Sequence, residues 1–205
     1  MAATDGAARP EIMRVNEAQA DQVTELFALA FRDDPTWGWA FPDRERRVDQ
    51  QRQWWGLAMH TAVAYGSVWM TEDGGAAALW IPPGKPELNR EDEARMEPLL
   101  RQLVGSRADD VLVLLERFEA NHPSDPPHYY LSLLGTHPDH RGRGKGMSLL
   151  AANLAWIDGQ GFPTYLESSN PANDHRYERL GFVKTGEFTA PGGGPTVAGM
   201  WRDCP

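Results

Sequence analysis

Three glycines alternate with basic or potentially basic side chains in one short stretch, HPDHRGRGKGMSLL, at residues 137–150. The side chains closest to the glycines are those of His140, Arg141, Arg143 and Lys145. A dense apolar strand pattern precedes this stretch, and a helical pattern follows it. Glycine lets an anion approach the main chain, and the free N–H groups of a helix's first turn carry partial positive charge. The sequence therefore predicts an anion site of the kind that holds phosphate, with a solvated basic turn as the alternative.

Two common phosphate-binding loops do not match this stretch. In the loop G-x-x-x-x-G-K-[ST] the lysine precedes Ser or Thr, whereas Lys145 precedes Gly146, and Asp139 occupies the position of the first glycine. In the dinucleotide fingerprint G-x-G-x-x-G the third glycine comes one residue later than it does here. Neither motif therefore identifies the anion.

Length and composition limit the class of protein. The chain has 205 residues, of which 41% are hydrophobic, and its net charge is −9. The length and the hydrophobic fraction suit one packed domain. The negative net charge makes nucleic acid a poor partner. It weakly favours a cationic small molecule as a ligand, or it only aids solubility. The single cysteine and six histidines show no metal-binding spacing, so we expect no metal. No apolar run approaches the roughly 20 residues that cross a membrane, and no signal peptide is recognisable, so we expect a cytoplasmic protein without a membrane partner.

The elements that would position the glycine stretch follow from periodicity. In the second half of the chain the order strand, glycine loop, helix, strand, helix, strand, strand is typical of a mixed α/β domain. In the first half, helical patterns surround a tryptophan-rich segment, DPTWGWAFPD, which we predict to be a loop because Pro35 ends the preceding pattern. Helices are predicted at residues 20–34, at 43–65 and as a pair within 90–120, and a hairpin joins the strands SVWM and GAAALWI. Residues 1–10 are predicted to be a flexible tail, and residues 11–205 a single domain.

Two motifs together resemble the GCN5-related N-acetyltransferase (GNAT) superfamily. Arg141-x-x-Gly144-x-Gly146 after a strand is similar to its Q/R-x-x-G-x-G/A signature, and NPANDHRYERLGF at 170–182 resembles its Asn-rich turn and tyrosine-bearing helix. The segments TEDGGAAALWIPP, YLESS and YERLGF are similar to the puromycin-acetylating group of that superfamily. The resemblance implies an α/β fold, with a central mixed, mostly antiparallel sheet that is splayed in the middle and flanked by helices. Residues 11–127 would form the acceptor side, and residues 128–205 the acetyl-CoA side.

The resemblance also implies acetyl-CoA as a cosubstrate that enters the gap in the sheet. The glycine loop would hold its pyrophosphate, the strand before the loop would pair with its pantetheine arm, and main-chain N–H groups there would hold the oxyanion. Asn170 and Asn173 would bind pantetheine amides or, alternatively, only cap a turn and a helix. The cofactor-binding residues are therefore predicted to be Leu134, Gly135, Thr136, Arg141, Gly142, Arg143, Gly144, Lys145, Gly146, Asn170 and Asn173.

The reaction implied is direct acetyl transfer to an amine in a ternary complex. Tyr177 would be the proton donor to the departing thiolate, or else a core residue. Glu167 would orient the amine or accept its proton, directly or through water, or else be a surface or ion-paired strand residue. The acceptor would be a small-molecule amine, such as an antibiotic or related metabolite, and the enzyme a monomer or homodimer. Alternatives are a protein or peptide acetyltransferase and a non-catalytic CoA-binding module. Candidate substrate-binding residues are Asp34, Trp37, Trp39, Phe41 and His128.

Overall fold

The computed structural model describes residues 11–205, so the predicted tail at 1–10 lies outside the described residues. A seven-stranded sheet with the order β1-β2-β3-β4-β5-β7-β6 forms its centre. The strands are β1 (Ile12–Arg14), β2 (Val68–Thr71), β3 (Ala76–Ile81), β4 (Tyr129–Thr136), β5 (Thr164–Ser168), β6 (Val183–Thr189) and β7 (Thr196–Arg202). The helices are α1 (Ala20–Phe31), α2 (Pro35–Ala40), α3 (Arg47–Ala64), α4 (Arg90–Val104), α5 (Ala108–Asn121), α6 (Lys145–Asp158) and α7 (Asp174–Glu178).

The sheet has an apolar core on each face. One core joins the sheet to the first five helices, and the other joins it to α6 and α7. Helix α6 shows why the sequence folds in this way, because Leu150, Leu154 and Ile157 recur at helical spacing and all three are buried against the second face. The predicted α/β fold, with a mixed and mostly antiparallel sheet flanked by helices, is confirmed.

The sheet opens between β4 and β5, which form the one parallel pair among the described strands. They pair only from Tyr129↔Thr164 to Leu131↔Leu166. Beyond that point β4 continues against β3, and β5 continues against β7, so the facing edges of β4 and β5 have no strand partner. The register between β3 and β4 passes from Leu79↔Leu133 to Trp80↔Leu131, so Ser132 is the extra residue of a β-bulge. A bulge bends its strand and increases the local twist, and this one lies where the predicted gap begins.

The tryptophan-rich segment is partly helical, and our prediction of a loop there was wrong. Pro35 does end α1, but it also occupies the first turn of α2, where its missing N–H is no loss. The Asp34 carboxylate caps that helix by accepting the amides of Thr36 and Trp37 at 2.9 and 3.0 Å. Asp34 and Pro35 therefore separate α1 from α2 and also begin α2.

Arg47 fixes the segment in place from the first turn of α3. Its buried guanidinium donates to the carbonyls of Phe41, Arg32, Gly38 and Pro42 at 2.6–3.2 Å. Four carbonyls that face the interior are thereby satisfied, which a lysine ammonium with three donors would not achieve. The position of α2, and of the tryptophan that it carries into the interior, depends on this one side chain.

No helix within residues 11–205 is long and apolar enough to span a membrane. In the same range no three His, Cys, Asp or Glu side chains come together as ligands for a metal ion.

Candidate active site

A cavity of about 910 Å³ lies over the opening of the sheet. Its floor is formed by β4 and β5, and its walls by residues of α2, α3, α4, α5 and α7. Because the strands part here, the floor exposes polar side chains that a continuous sheet would have packed against a neighbour. Those side chains are Glu87, His122, His128, Tyr130, Ser132 and Glu167.

Glu167 is the most enclosed carboxylate of the floor. Its side chain is 2% exposed, and its Oε1 lies 3.5 Å from Nδ1 of His122. Its Oε2 is buried and has no hydrogen-bond partner among the described residues. An ionised oxygen in such a place costs free energy unless a ligand donor reaches it. Glu167 is thus available for the role that the sequence assigned to it.

A second carboxylate, Glu87, reaches the same floor from the segment before α4. The hydroxyl of Ser132, at the bulge, donates to its Oε1. Burial raises the pKa of the Glu87 carboxyl, and the negative charge of Glu167 raises it further. A cation between these two carboxylates would relieve both effects.

His128 lies beneath the floor, where the sequence placed a substrate contact. Its ring Nδ1 is 2.8 Å from the carbonyl of Pro126, and its Nε2 is 3.1 Å from Nε2 of His122. Burial lowers the pKa of His128, which favours the neutral ring. His128 lines the cavity, but its ring nitrogens already have protein partners.

The wall opposite the floor is aromatic. Trp37 meets Trp55 edge to face, with ring centroids 4.5 Å apart, and stacks on Phe118 at 6.0 Å. The two other aromatic residues predicted for the acceptor site do not line the cavity. Phe41 is fully buried beside Trp54, and Trp39 lies under the guanidinium of Arg107 at 4.1 Å.

Charge on the cavity lining is strongly negative. Six carboxylates and one lysine ammonium face it. Two of the carboxylates are on the floor, and the others lie on α4 and α5 near the mouth. Such a lining concentrates cations and disfavours anions. The acidic members are Glu87, Glu93, Glu97, Glu116, Glu119 and Glu167, and the basic one is Lys85.

Tyr177 lines the same cavity from the short helix α7. Its ring packs edge to face on Phe182 with centroids 6.2 Å apart, and its hydroxyl makes no hydrogen bond to the described residues. Burial, with the nearby carboxylates of Asp34 and Asp174, raises the pKa of the phenol to about 12. The phenol therefore keeps its proton at neutral pH and can donate it.

The glycine loop closes the other end of the gap. Gly142 and Gly144 have φ values of +76° and +72°, and a methyl group added to either would meet only open space. Helix α6 begins at Lys145 with no side-chain cap, so the amides of its first turn are not covered by a capping side chain. The first turn of this 14-residue helix is therefore open to a ligand such as phosphate.

Two cationic side chains of the loop bind other parts of the protein. Arg141 donates to the carbonyl of Ala30 at 2.8 Å and thereby joins the loop to α1. Lys145 pairs with Asp73 in the β2–β3 turn and lies 2.8 Å from the His140 ring. The hydrogen bonds that Lys145 and Thr71 donate to the Asp73 carboxylate lower its pKa to about 2. Arg143 is exposed and forms no ion pair with described residues.

The remaining predicted cofactor residues divide into packing and turn positions. A Cβ on Gly135 would lie 2.9 Å from Phe27, and one on Gly146 2.5 Å from the Thr136 hydroxyl, so both glycines allow close packing. Asn170 uses its side chain to cap the turn before α7, accepting from Ala172 N at 3.1 Å. Leu134 lies on the unpaired part of β4 and lines the cavity, and Asn173 lies in the turn that Asn170 caps.

Sequence reasoning missed Glu87, His122, Tyr130 and Ser132. Glu87 follows the proline-rich segment PPGKP, and His122 follows a helix, so neither lies in a periodic pattern. Tyr130 and Ser132 were in the predicted strand, where alternation would have put both on one face. Only the long-range pairing with β5 reveals that this face is a cavity floor.

Comparison with known proteins agrees with this geometry. The model of the Acetyltransferase (GNAT) family matches residues 20–182. A 54-residue segment is 44% identical to a mycothiol acetyltransferase of Streptomyces coelicolor, covering 25% of this chain and 18% of that protein. The chain thus spans less than a fifth of the length of that relative.

Solved structures share the fold over almost the whole chain. The structure described as histone acetyltransferase HPA2 and related acetyltransferase from Corynebacterium glutamicum has a TM-score of 0.69 at 22% identity, covering 96% of this chain and 97% of that one. Arylalkylamine N-acetyltransferase 2 of Aedes aegypti has a TM-score of 0.65 at 11% identity, covering 95% and 99%. At these identities the likeness shows the fold alone.

Asp34, a predicted substrate contact, instead caps α2 and accepts the Ser169 hydroxyl at 2.8 Å. Burial outweighs these hydrogen bonds and raises the pKa of its carboxyl to about 6. Between about pH 4 and pH 6 the folded protein keeps a proton that the unfolded chain has released, so the free energy of unfolding falls as the pH rises. Relative to Asp34→Asn, the wild type should lose about 1–3 kcal/mol across this window.

Urea unfolding on both sides of that window measures the difference. The control is Asp33→Asn, because Asp33 is the exposed neighbour of Asp34 and does not cap α2. Parallel pH dependence of the wild type and Asp34→Asn would contradict the cost assigned to the buried carboxylate.

Proposed function

Because the chain belongs to the GNAT acetyltransferase family, we propose that it transfers the acetyl group of acetyl-CoA to the amine of a small molecule. The observation that carries this proposal is the cavity, where a buried carboxylate oxygen without a partner and a protonated phenol face the same space. These are the two groups that amine acetylation needs, one to take a proton from the nucleophile and one to give a proton to the leaving group.

Acetyl-CoA supplies the acetyl group as a thioester, and the rest of the site is provided by the protein. The uncovered amides of α6 and the glycine loop would hold the pyrophosphate. The unpaired edge of β4 offers main-chain groups to the pantetheine arm, with Leu134 and Gly135 amides as the candidates for the oxyanion hole. These residues fit the cosubstrate because the loop is cationic and open and the strand edge is free.

The acceptor side supports an amine carried on an apolar body. The carboxylates of the floor would attract and desolvate an ammonium group, while Trp37, Trp55 and Phe118 would contact its apolar part. A volume of about 910 Å³ is in the range of sites for drug-sized ligands. The similarity of several segments to the puromycin-acetylating group supports an antibiotic or related metabolite as the acceptor.

Acetylation of a protein or peptide would instead need an open groove for an extended chain, and the aromatic wall here faces a cavity. A CoA-binding module without catalysis would gain nothing from the buried Glu167 oxygen, which costs stability. Both alternatives are therefore less well supported than a small-molecule acceptor.

Turnover with a panel of amines tests this function directly. CoA release should be measured with acetyl-CoA and puromycin, arylalkylamines, polyamines and peptides with free N-termini. We expect turnover with at least one small amine, together with acetylated product by mass spectrometry. Acetylation of peptides alone would replace the small-molecule assignment, and no turnover with any amine would favour the non-catalytic module.

Gly144→Ala tests the cofactor loop. A methyl group there would occupy the open space over the loop, and acetyl-CoA should lose most of the thermal stabilisation that it gives the wild type. The matched control is Gly161→Ala, which places the same methyl at φ +76° in open space just after α6. In both variants an alanine at positive φ costs about 1–2 kcal/mol of backbone strain. The two variants should therefore differ only in the rise of melting temperature that acetyl-CoA causes.

The same melting experiment with NAD and ATP completes the test. Acetyl-CoA should raise the melting temperature of the wild type far more than either nucleotide does. Equal shifts with ATP, or an unchanged acetyl-CoA shift in Gly144→Ala, would remove the glycine loop from cosubstrate binding.

Tyr177→Phe tests the proton donor. The ring and its packing on Phe182 remain, and only the hydroxyl is lost, so turnover should fall by about 10²–10⁴-fold with little change in acetyl-CoA affinity. Tyr129→Phe is the control, because Tyr129 packs against Trp156 and Phe162 away from the cavity. A loss under roughly threefold with a saturating acceptor would take Tyr177 out of the chemistry.

A further inference from the structure

Three polar side chains and one carbonyl form a continuous chain under the cavity floor. Glu167 Oε1 lies 3.5 Å from His122 Nδ1. His122 Nε2 lies 3.1 Å from His128 Nε2, and His128 Nδ1 lies 2.8 Å from the carbonyl oxygen of Pro126. The chain begins at the acceptor cavity and ends at a main-chain group.

The carbonyl at the far end sets where the hydrogens lie. A carbonyl only accepts, so Nδ1 of His128 carries a hydrogen, and Nε2 of a neutral His128 is then a lone pair. His122 must donate from its Nε2 to that lone pair. Its own Nδ1 is left as a lone pair that faces the Glu167 carboxylate.

This arrangement has room for one more proton, and only at one place. Without it, a lone pair and a carboxylate oxygen face each other across 3.5 Å, which is unfavourable. With a proton there, every group in the chain has a donor and an acceptor. His122 is also the residue that follows the last turn of α5, so its backbone is fixed by that helix.

We propose that the Glu167–His122 pair, held in register by His128, takes the proton that the acceptor ammonium must lose before it can attack. This assignment rests on the proposed function and extends it to His122. The N–H bond of the ammonium breaks, and its electron pair stays on nitrogen as the nucleophile. The proton binds Oε2 of Glu167, and rotation of the carboxyl group about its Cγ–Cδ bond then places the protonated oxygen opposite Nδ1 of His122. The proton leaves to solvent when the product departs, since His122 is 32% exposed.

Other charged and titratable groups surround the imidazole of His122. Glu87 faces it from the segment before α4, and Glu119 lies one turn earlier on α5. Tyr130 and Tyr165 meet its ring edge to face, with centroids 4.7 and 4.9 Å away. Burial and the charge of Glu167 raise the pKa of both phenols, so they remain neutral and His122 faces carboxylates.

His122→Asn tests the proposal because the amide can still hydrogen-bond Glu167 but cannot hold the proton. At neutral pH, kcat/KM for the amine should fall by about 10–100-fold, with acetyl-CoA binding unchanged. The deficit should shrink several-fold as the pH is raised toward the pKa of the acceptor amine, because the free amine then no longer needs a base. His60→Asn is the matched control, since His60 is exposed on α3 outside the cavity.

A deficit that is the same at every pH would mean that His122 only positions other groups, and would overturn the proposal. A loss under threefold at neutral pH would do so as well. If the variant does not fold, or no amine is turned over by the wild type, nitrogen NMR of the histidine rings in the wild type decides. Neutral rings should carry their hydrogens on Nδ1 of His128 and Nε2 of His122. The opposite tautomers would overturn the proton position whether or not the proposed function holds.

Discussion

The parting of β4 from β5 is the constraint on which the rest of the structure depends. If the parallel pair stayed hydrogen-bonded along its whole length, the main-chain edges of β4 and β5 would satisfy each other and no gap would separate the two strands. Instead the bulge at Ser132 bends β4 away, while β5 remains bonded to β7. Main-chain N–H and C=O groups without hydrogen-bond partners cost free energy in an apolar interior. A ligand with amide groups could supply these partners by pairing with the open edge, as an added strand does.

The two carboxylates of the floor also cost free energy of folding, because both are buried without a cationic partner in the described part of the chain. Glu87 and Glu167 are two like charges in a poorly solvated space, and neither has a lysine or arginine partner among the described residues. A protein selected for stability alone would replace them with apolar side chains or pair them. Under the proposed function, the missing partner would be the ammonium group of an acceptor that binds and leaves.

Much of this arrangement could be predicted from local sequence, and the rest could not. The glycine loop, the helix after it and the strand before it were predicted because glycine spacing and apolar periodicity are local signals. Helix α2 was missed because Asp34 and Pro35 are equally typical of a helix end and a helix start. His122 and Glu167 are 45 positions apart in the sequence, and no local pattern links them. Lys145 was placed around the anion, yet its partner Asp73 comes from a distant turn.

The two ends of the gap carry opposite charge. With Lys145 held by Asp73, the positive potential at the α6 end comes chiefly from main-chain amides, Arg141 and Arg143, groups that stay charged or polar at any physiological pH. The cavity end carries carboxylates, which attract cations but change their charge with their surroundings. Under the proposed function, an anionic cosubstrate and a cationic acceptor would therefore be drawn to opposite ends of one opening. The end at which the acceptor would release its proton is the end that carries carboxylates and histidines.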